Sequence, residues 1–414
     1  MKYRELKSIY YESNETCAQE YLNRFQSEEA VKLNFFIGQN QAFFLQNVQV
    51  MTLAYEIAKL DKQIEKACND LPGVALEQYS KKCLIDEIVL TNRIEGVHSS
   101  RKEIGEVLDT LEAQSIAKGK HVRFNGLVNK YLMLIQSEDI PLKDCKDIRK
   151  LYDEVFLHEV IFENASNKPD GTIFRKDSVS IHSETDKIIH NGLMPESRIV
   201  EAMEQSLSFL NDTSVEELFR VCLFHYLIEY IHPFYDGNGR LGRLILSYGI
   251  SKTLCPLVSL RISETIKENI SAYYKAFRTC NDYRNLGDLT PFLLMQLTMV
   301  RDAMEDLKTS LHEKQIIWDK YETAITNLYA GNTDIRKLYS LLIQAALFSE
   351  KGISMQELVT NMRCSKYIIN KLLNAFDPSM IVVKKKGNYK YYSVNLDALD
   401  HAVLQNSIQK LSTV

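Results

Sequence analysis

Glycine and proline are scarce in this chain, with only 16 and 8 among 414 residues. Most stretches between these residues are long and carry apolar side chains at i, i+3 and i+4, a spacing typical of amphipathic helices. Few stretches show the alternation that is typical of strands, so we expect a mainly α-helical fold. At roughly 150 residues per domain, the length predicts two or three domains.

The sequence also lacks membrane, disulfide and zinc-site patterns. Its most apolar stretch, residues 221–231, is short and contains His225 and Glu229, and the N-terminus has no apolar signal-peptide region. The eight cysteines are scattered, without a C-x-x-C pair or a Cys/His cluster. We therefore expect buried thiols in a reducing compartment and a cytoplasmic protein.

A large excess of charge of one sign is absent as well. The 50 Lys and Arg residues face 54 Asp and Glu residues, a net charge of −4, which disfavours a chain devoted entirely to nucleic acid. Residues 335–400 differ, because they carry ten basic and five acidic side chains, a local charge of +5. Basic charge is thus concentrated near the C-terminus.

The basic tail has its own predicted order of elements: helices at 335–347, 355–362 and 366–376, then a β-hairpin within 380–394. This order is similar to that of a winged helix. Binding of DNA, through a recognition helix and a basic wing, is one interpretation. Docking of a protein or dimerisation is the other. The basic side chains concerned are Lys366 and Lys371 on the helix and Lys384, Lys385, Lys386 and Lys390 on the wing.

Residues 231–243, with the sequence IHPFYDGNGRLGR, are the most informative segment. Pro233 ends one apolar helix, and Gly237 and Gly239 allow tight turns where the next helix begins. The first N–H groups of that helix have no partner within it, and such a helix start favours phosphate. The segment therefore predicts an anion site.

Four side chains of this segment point to catalysis. Arg240 and Arg243, at i and i+3, place two guanidinium groups beside the anion site. Asp236 supplies a hard oxygen ligand next to the phosphates, where Mg²⁺ is commonly bound. His232 is the nearby group that titrates close to neutral pH, which suits it to take a proton from an attacking hydroxyl.

The segment fills every fixed position of the signature H-x-F-x-[DE]-G-N-G-R-x-x-R, and the chain resembles the Fic proteins. The matching residues are His232, Phe234, Asp236, Gly237, Asn238, Gly239, Arg240 and Arg243. The resemblance implies a protein adenylyltransferase, which transfers AMP from ATP to a Ser, Thr or Tyr hydroxyl of a target protein, or of itself, and releases pyrophosphate.

The same resemblance implies a role for each residue. His232 is the general base, Asp236 holds Mg²⁺, and Phe234 anchors the loop in the core. Gly237, Asn238 and Gly239 line the phosphate site, and Arg240 and Arg243 bind the phosphates. Residues 178–195 resemble the flap that docks the target segment. Tyr273 and Tyr274 either contact the nucleotide or are ordinary core aromatics.

An upstream segment resembles the inhibitory pattern of the family, [ST]-x-x-x-E-[GN], with Thr91, Glu95 and Gly96 at its fixed positions. Glu95 lies near a helix C-terminus, where the helix dipole disfavours an anion, so a cationic partner is expected. The resemblance implies that this partner is Arg243 and that the pair prevents productive binding of ATP. A solvated glutamate at a helix end is the alternative.

We therefore predict N-terminal helices with an inhibitory motif (residues 1–110), a Fic core (111–300), connecting helices (301–334) and a winged-helix-like domain (335–414). The predicted function is Mg²⁺-dependent AMP transfer, inhibited by Glu95. Removal of AMP at the same site, or a DNA-binding regulator whose Fic site senses nucleotide, are the alternatives. Members with this arrangement are often dimers, so the resemblance also implies a homodimer.

Overall fold

The structure, a computed structural model, describes residues 3–112, 123–182, 188–329, 331–386 and 389–402. The chain divides into two compact units. The first contains Met1–Lys62 and Leu84–Asp306, and the second contains Gln63–Cys83 and Leu307–Val414. The four-part division by function predicted from the sequence stays a prediction.

Helices make up most of the chain, which confirms the mainly α-helical fold. The α-helices are α1 (Leu6–Glu12), α2 (Asn14–Phe25), α3 (Val48–Asp70), α4 (Gly73–Ile94), α5 (Arg101–Glu112), α6 (Asn125–Ile135), α7 (Cys145–Tyr152), α8 (His158–Glu163), α9 (Glu196–Leu210), α10 (Glu217–Ile231), α11 (Asn238–Thr253), α12 (Ile262–Glu268), α13 (Ile270–Cys280), α14 (Thr290–Leu328), α15 (Thr333–Phe348), α16 (Met355–Met362) and α17 (Lys366–Leu373). The strands are β1 (Ala30–Ile37), β2 (Asn40–Leu45), β3 (Ser180–His182), β4 (Ile188–Asn191), β5 (Ile353–Ser354), β6 (Ile381–Lys386) and β7 (Tyr389–Val394).

The centre of the first unit is α10, which packs against α9 and α11. Twelve of its fifteen residues are buried, because its side chains are apolar around nearly the whole circumference. Helix α11 is also largely buried. These two helices hold the loop of residues 232–237 between them, on a rigid support.

One element of the first unit was not predicted. Strands β1 and β2 form an antiparallel hairpin in a region that the sequence analysis reads as helical. Leu33, Phe35 and Ile37 alternate with exposed residues in β1, and Gly38 supplies the left-handed turn at φ 61°. The alternation of period two is the signal that identifies this strand.

The second unit contains the basic tail, and its elements follow the predicted order. Helices α15, α16 and α17 are followed by the β6–β7 hairpin, and the short β5 adds a strand in the sheet order β5-β7-β6. Ser354 and Glu357 form a capping box at the start of α16. Leu342, Leu358 and Ile369 are fully buried and bring the three helices into one core.

In the part of the chain that the structure describes, the eight cysteines form no disulfide bond, and seven of them are buried. Among the residues that the structure describes, none of the helices combines the length and the apolar character needed to cross a lipid bilayer.

Candidate active site

The loop between α10 and α11 is fixed by its own hydrogen bonds. His232 ends α10 in a left-handed conformation, with φ 52°, and Gly237 precedes α11 with φ 80°. The Asn238 amide closes the loop, because its Oδ1 accepts a hydrogen bond from Phe234 N at 2.9 Å and its Nδ2 donates to Phe234 O at 2.8 Å. The side chain of Asn238 is therefore engaged inside the loop.

Phe234 attaches the loop to the core. Its ring is fully buried and stacks on Tyr152, with a centroid distance of 3.6 Å and an angle of 6° between the planes. Phe174 packs edge-on against it at 5.5 Å. The Tyr152 hydroxyl also donates to Asp236 O at 3.1 Å, so stacking and a hydrogen bond act together on the loop.

The start of α11 presents main-chain donors. Leu241 N bonds back to Gly237 O at 3.0 Å, so the N–H groups of residues 238–240 precede the internal hydrogen bonds of the helix. A Cβ built on Gly239 would lie only 2.1 Å from Glu95 Oε1. The carboxylate of Glu95 thus lies against this helix start, at the place that favours an anion.

Glu95 and Arg243 form an ion pair, as expected from the inhibitory pattern. Arg243 Nη2 donates to Glu95 Oε1 at 2.7 Å, and the side chain of Arg243 is 1% exposed whereas that of Glu95 is 31% exposed. Burial acts to lower the pKa of Arg243, but Glu95, Tyr273 and Glu229 raise it overall. Arg243 is therefore a cation held inside the protein.

The other two residues of the inhibitory pattern support this pair. Thr91 Oγ1 accepts a hydrogen bond from Arg243 Nε at 2.8 Å, and Thr91 O accepts one from Nη2 at 3.2 Å. Gly96 has φ 72°, a conformation that glycine adopts without strain, and it ends the helical path of α4. The helix itself ends at Ile94.

His232 has a neutral imidazole near neutral pH. Burial, together with Arg175 and His190, lowers its pKa to about 3, while the Glu229 carbonyl acts in the opposite direction. Its Nδ1 lies 3.9 Å from Glu229 Oε2 and has no hydrogen-bond partner among the described residues. A neutral imidazole has a lone pair available to accept a proton.

Asp236 is half-buried, and its Oδ1 accepts a hydrogen bond from Gly237 N. The described part of the chain contains no group of three or more His, Cys, Asp or Glu residues that could hold a metal ion alone. Mg²⁺ often binds through one or two carboxylates together with substrate phosphates and water. The single carboxylate of Asp236, beside the start of α11, fits a magnesium ion of this kind.

Arg240 lacks the solvent exposure that we would expect of a phosphate-binding side chain. It is 1% exposed, forms an ion pair with Glu159 of α8 through Nη1, and lies over the Phe156 ring at 5.2 Å. Its Nε and Nη2 are buried and have no hydrogen-bond partner among the described residues. The guanidinium is thus held by one acid while two of its nitrogens stay unused.

Three acidic or basic groups around Arg243 were not predicted as site residues from the sequence. Burial, together with the nearby Glu95 carboxylate, raises the pKa of Glu229 to about 8, while Arg243 acts in the opposite direction. Burial also raises the pKa of Glu87 to about 7, against hydrogen bonds from Ser263. Burial, followed by Arg243, lowers the pKa of His225 to about 3. Polar residues within the apolar run of α10 were the available signal for two of the three.

The remaining predicted residues lie on two elements. Tyr273 of α13 is buried, and its hydroxyl lies 2.8 Å from His225 Nε2, while Tyr274 is half-buried. Strands β3 and β4 pair antiparallel within the predicted flap. Residues 183–187 of that flap lie outside the described residues. The roles of these residues in binding stay predictions.

Part of the chain is similar in sequence to a known protein family. Residues 147–248 match the model of the Fic/DOC family. The chain is 26% identical over 226 residues to protein adenylyltransferase Fic of Drosophila ananassae, which covers 53% of this chain and 41% of the relative. It is 24% identical over 254 residues to protein adenylyltransferase fic-1 of Caenorhabditis elegans, covering 57% and 45%. The chain thus spans less than half the length of these relatives.

A solved structure supports the fold. A Fic family protein from Desulfovibrio desulfuricans superposes with a TM-score of 0.51, at 20% sequence identity, over 84% of this chain and 96% of that protein. The family match runs from within α7 to within α11, and it includes the loop, Arg240, Arg243 and Glu159. Residues 147–248 of this chain therefore form a Fic domain.

Proposed function

We propose that the chain is a protein adenylyltransferase that transfers AMP from ATP to hydroxyl groups of a target protein. One observation carries the proposal. The loop between α10 and α11 brings together a neutral His232, the carboxylate of Asp236, the first N–H groups of α11 and Arg243. The names of the curated relatives support the same activity.

The proposed reaction needs few protein groups. The hydroxyl oxygen of the target attacks the α-phosphorus of ATP, the bond from that phosphorus to the β-phosphate bridging oxygen breaks, and pyrophosphate leaves. The hydroxyl proton passes to His232. We assign it to Nε2, because Nδ1 is buried beside Glu229. The N–H groups at the start of α11 bind the phosphates, and Asp236 would hold Mg²⁺, which would neutralise part of their charge when bound.

Glu95 opposes this reaction in the proposed function. Its carboxylate occupies Arg243 and lies against Gly239, so it takes both the cation and the helix start that the terminal phosphate of ATP would use. ATP that cannot reach these groups has its α-phosphorus out of line for attack. The wild-type protein is therefore expected to have low activity.

The experiment compares incorporation of AMP, labelled at its phosphate, by wild type, Glu95→Gly and Glu95→Gly/His232→Ala. Glu95→Gly should incorporate much more label than wild type, and the double variant should incorporate none. Glu138→Gly is the matched control, because Glu138 is an exposed glutamate shortly after the end of α6. Equal labelling of wild type and Glu95→Gly would contradict the inhibitory role, and labelling without His232 would contradict the base.

The second candidate activity is removal of AMP at the same site. It is favoured by the position of Glu95, whose carboxylate is 31% exposed and directly beside Gly239, where it could orient a water molecule. AMP-modified protein prepared with Glu95→Gly, and then mixed with wild type, distinguishes the two. Release of AMP by wild type but not by Glu95→Gly supports removal, and stable label in both mixtures excludes it.

The basic tail favours a nucleic acid partner. The order α15, β5, α16, α17, β6, β7 supports a winged helix, and the exposed face of α17 presents Tyr367, which is 77% exposed. The wing strands carry Lys384, Lys385 and Lys390 on exposed positions, next to exposed Tyr389. A gel shift that weakens with salt supports DNA binding. Absence of a shift at low salt, together with a dimer in sedimentation, supports the dimer module instead.

A further inference from the structure

Arg175 is an arginine with an unusual set of partners. It is wholly buried, and its guanidinium donates to three main-chain carbonyl oxygens: Nε to His232 O at 2.8 Å, Nη2 to Leu193 O at 2.9 Å, and Nη1 to Asp177 O. No carboxylate forms an ion pair with it in the described part of the chain. Buried cations usually have such a partner, so these three bonds indicate a specific task.

The three carbonyl groups belong to separate segments. Asp177 precedes β3, Leu193 follows β4, and His232 begins the catalytic loop. Main-chain bonds run beside the guanidinium, since Arg175 N donates to Pro233 O at 3.2 Å and Leu193 N donates to Ile231 O at 3.1 Å. Arg175 therefore ties both ends of the β3–β4 hairpin to the residue that is proposed as the base.

The absence of a side chain at Gly192 leaves room for this arrangement. A Cβ built on Gly192 would lie 2.3 Å from Arg175 Nη2 and 3.0 Å from His232 Cβ. Any larger side chain would push the guanidinium or the imidazole away. Arg175 and His232 can therefore lie this close to residue 192 only because it is a glycine.

The backbone of His232 also needs support. Its φ of 52° lies in the left-handed region, which is unfavourable for a residue with a side chain. The Nε–H of Arg175 holds the carbonyl group of this same residue. Since the direction of the imidazole follows from the backbone of its own residue, a bond to this carbonyl sets where the base points.

We propose that Arg175 is a positioning residue that couples the β3–β4 hairpin to the orientation of His232. The proposal rests on the proposed function for its link to catalysis, because the hairpin is where the target segment would dock. Arg175 contacts neither ATP nor the target hydroxyl in this account. It acts through the backbone of His232.

The charge of Arg175 has a separate effect, which allows the two contributions to be measured. The groups that face His232 are Arg175, His190 of β4 and Glu229 of α10. Arg175 and His190 both lower the pKa of His232, after burial. A lysine keeps the charge of Arg175 but lacks the planar fork that reaches three carbonyl groups.

The experiment uses Arg175→Lys, Arg175→Met and Gly192→Ala in the Glu95→Gly background. Arg220→Lys is the matched control, because Arg220 also donates to two main-chain carbonyl groups, those of Val215 and Leu210. We expect Arg175→Lys to lower kcat for AMP transfer by at least about tenfold, with KM for ATP within about twofold. Gly192→Ala should also lower kcat with little change in KM for ATP, whereas Arg220→Lys should leave kcat unchanged.

A second measurement does not depend on activity. NMR titration of His232, assigned by comparison with His232→Asn, should show a higher pKa in Arg175→Met than in Arg175→Lys. Unchanged kcat in both Arg175→Lys and Gly192→Ala would overturn the positioning role. If Glu95→Gly itself transfers no AMP, the proposed function fails. The inference about Arg175 is then decided by the chemical shifts of the His232 ring, and a ring whose shifts are unchanged in both Arg175→Lys and Gly192→Ala overturns it.

Discussion

Loss of the Glu95 carboxylate should increase the affinity of the protein for ATP. In the structure Glu95 and the phosphates compete for Arg243, so ATP must first break an ion pair of 2.7 Å. Removing one partner of a buried pair costs about 3–5 kcal/mol, whereas an exposed pair contributes about 0–1 kcal/mol. Glu95 is 31% exposed and Arg243 is 1% exposed, which places this pair between the two cases.

The expected magnitude is therefore about 1–3 kcal/mol, since Arg243 also keeps its bonds to Thr91 when Glu95 is removed. This free energy should appear as a Kd for ATP that is roughly 5- to 150-fold lower in Glu95→Ala than in wild type. Isothermal titration with ATP and Mg²⁺ measures it.

Glu163→Ala is the control for this titration. Glu163 forms an exposed ion pair with Arg123 at 3.5 Å. It is far from the loop of residues 232–237 in the sequence and has no bond to Arg243. Its removal should leave the Kd unchanged. Equal Kd values for wild type and Glu95→Ala would refute the idea that the carboxylate and ATP use the same cation.

Three further predictions concern stability. Gly239→Ala should destabilise the wild-type protein, because the new Cβ displaces the Glu95 carboxylate. In the Glu95→Ala background the same substitution should be neutral or should stabilise the protein by about 0.5–1 kcal/mol, because alanine is favoured over glycine within a helix. Guanidinium unfolding of the four proteins checks this change of sign. Because the pKa of Glu229 is raised in the folded protein, its contribution to stability is present below pH 4.5 and is lost as the pH rises towards about 8. The unfolding free energy of Glu229→Gln should therefore decrease less over this pH range than that of the wild-type protein. Glu159→Ala should lower the unfolding free energy by about 3–5 kcal/mol in denaturant titrations, because it leaves Arg240 buried without its anion.

The sequence predicts those parts of the site that are close together along the chain. Residues 232–243 form one loop and one helix turn, so their spacing alone places His232, Asp236 and the start of α11 side by side. The elements of the tail were likewise predicted in the right order, because local periodicity and the capping box at Ser354 determine them.

Contacts between distant segments could not be predicted from spacing. Arg240 and Glu159 are 81 residues apart, and Arg175 and His232 are 57 residues apart. Nothing local in the sequence shows that a buried arginine will meet carbonyl groups rather than phosphates. The pairing of Glu95 with Arg243 was expected only because the inhibitory pattern resembles that of a known family.

The most direct test of the central claim follows the phosphate that is transferred. Glu95→Gly is incubated with Mg²⁺, a protein extract and ATP labelled either at the α-phosphate or at the γ-phosphate. Transfer of AMP predicts protein-bound label from the α-labelled ATP alone, and none when His232→Ala is added to the variant. Label retained from the γ-phosphate, or no label from either nucleotide, would contradict the account.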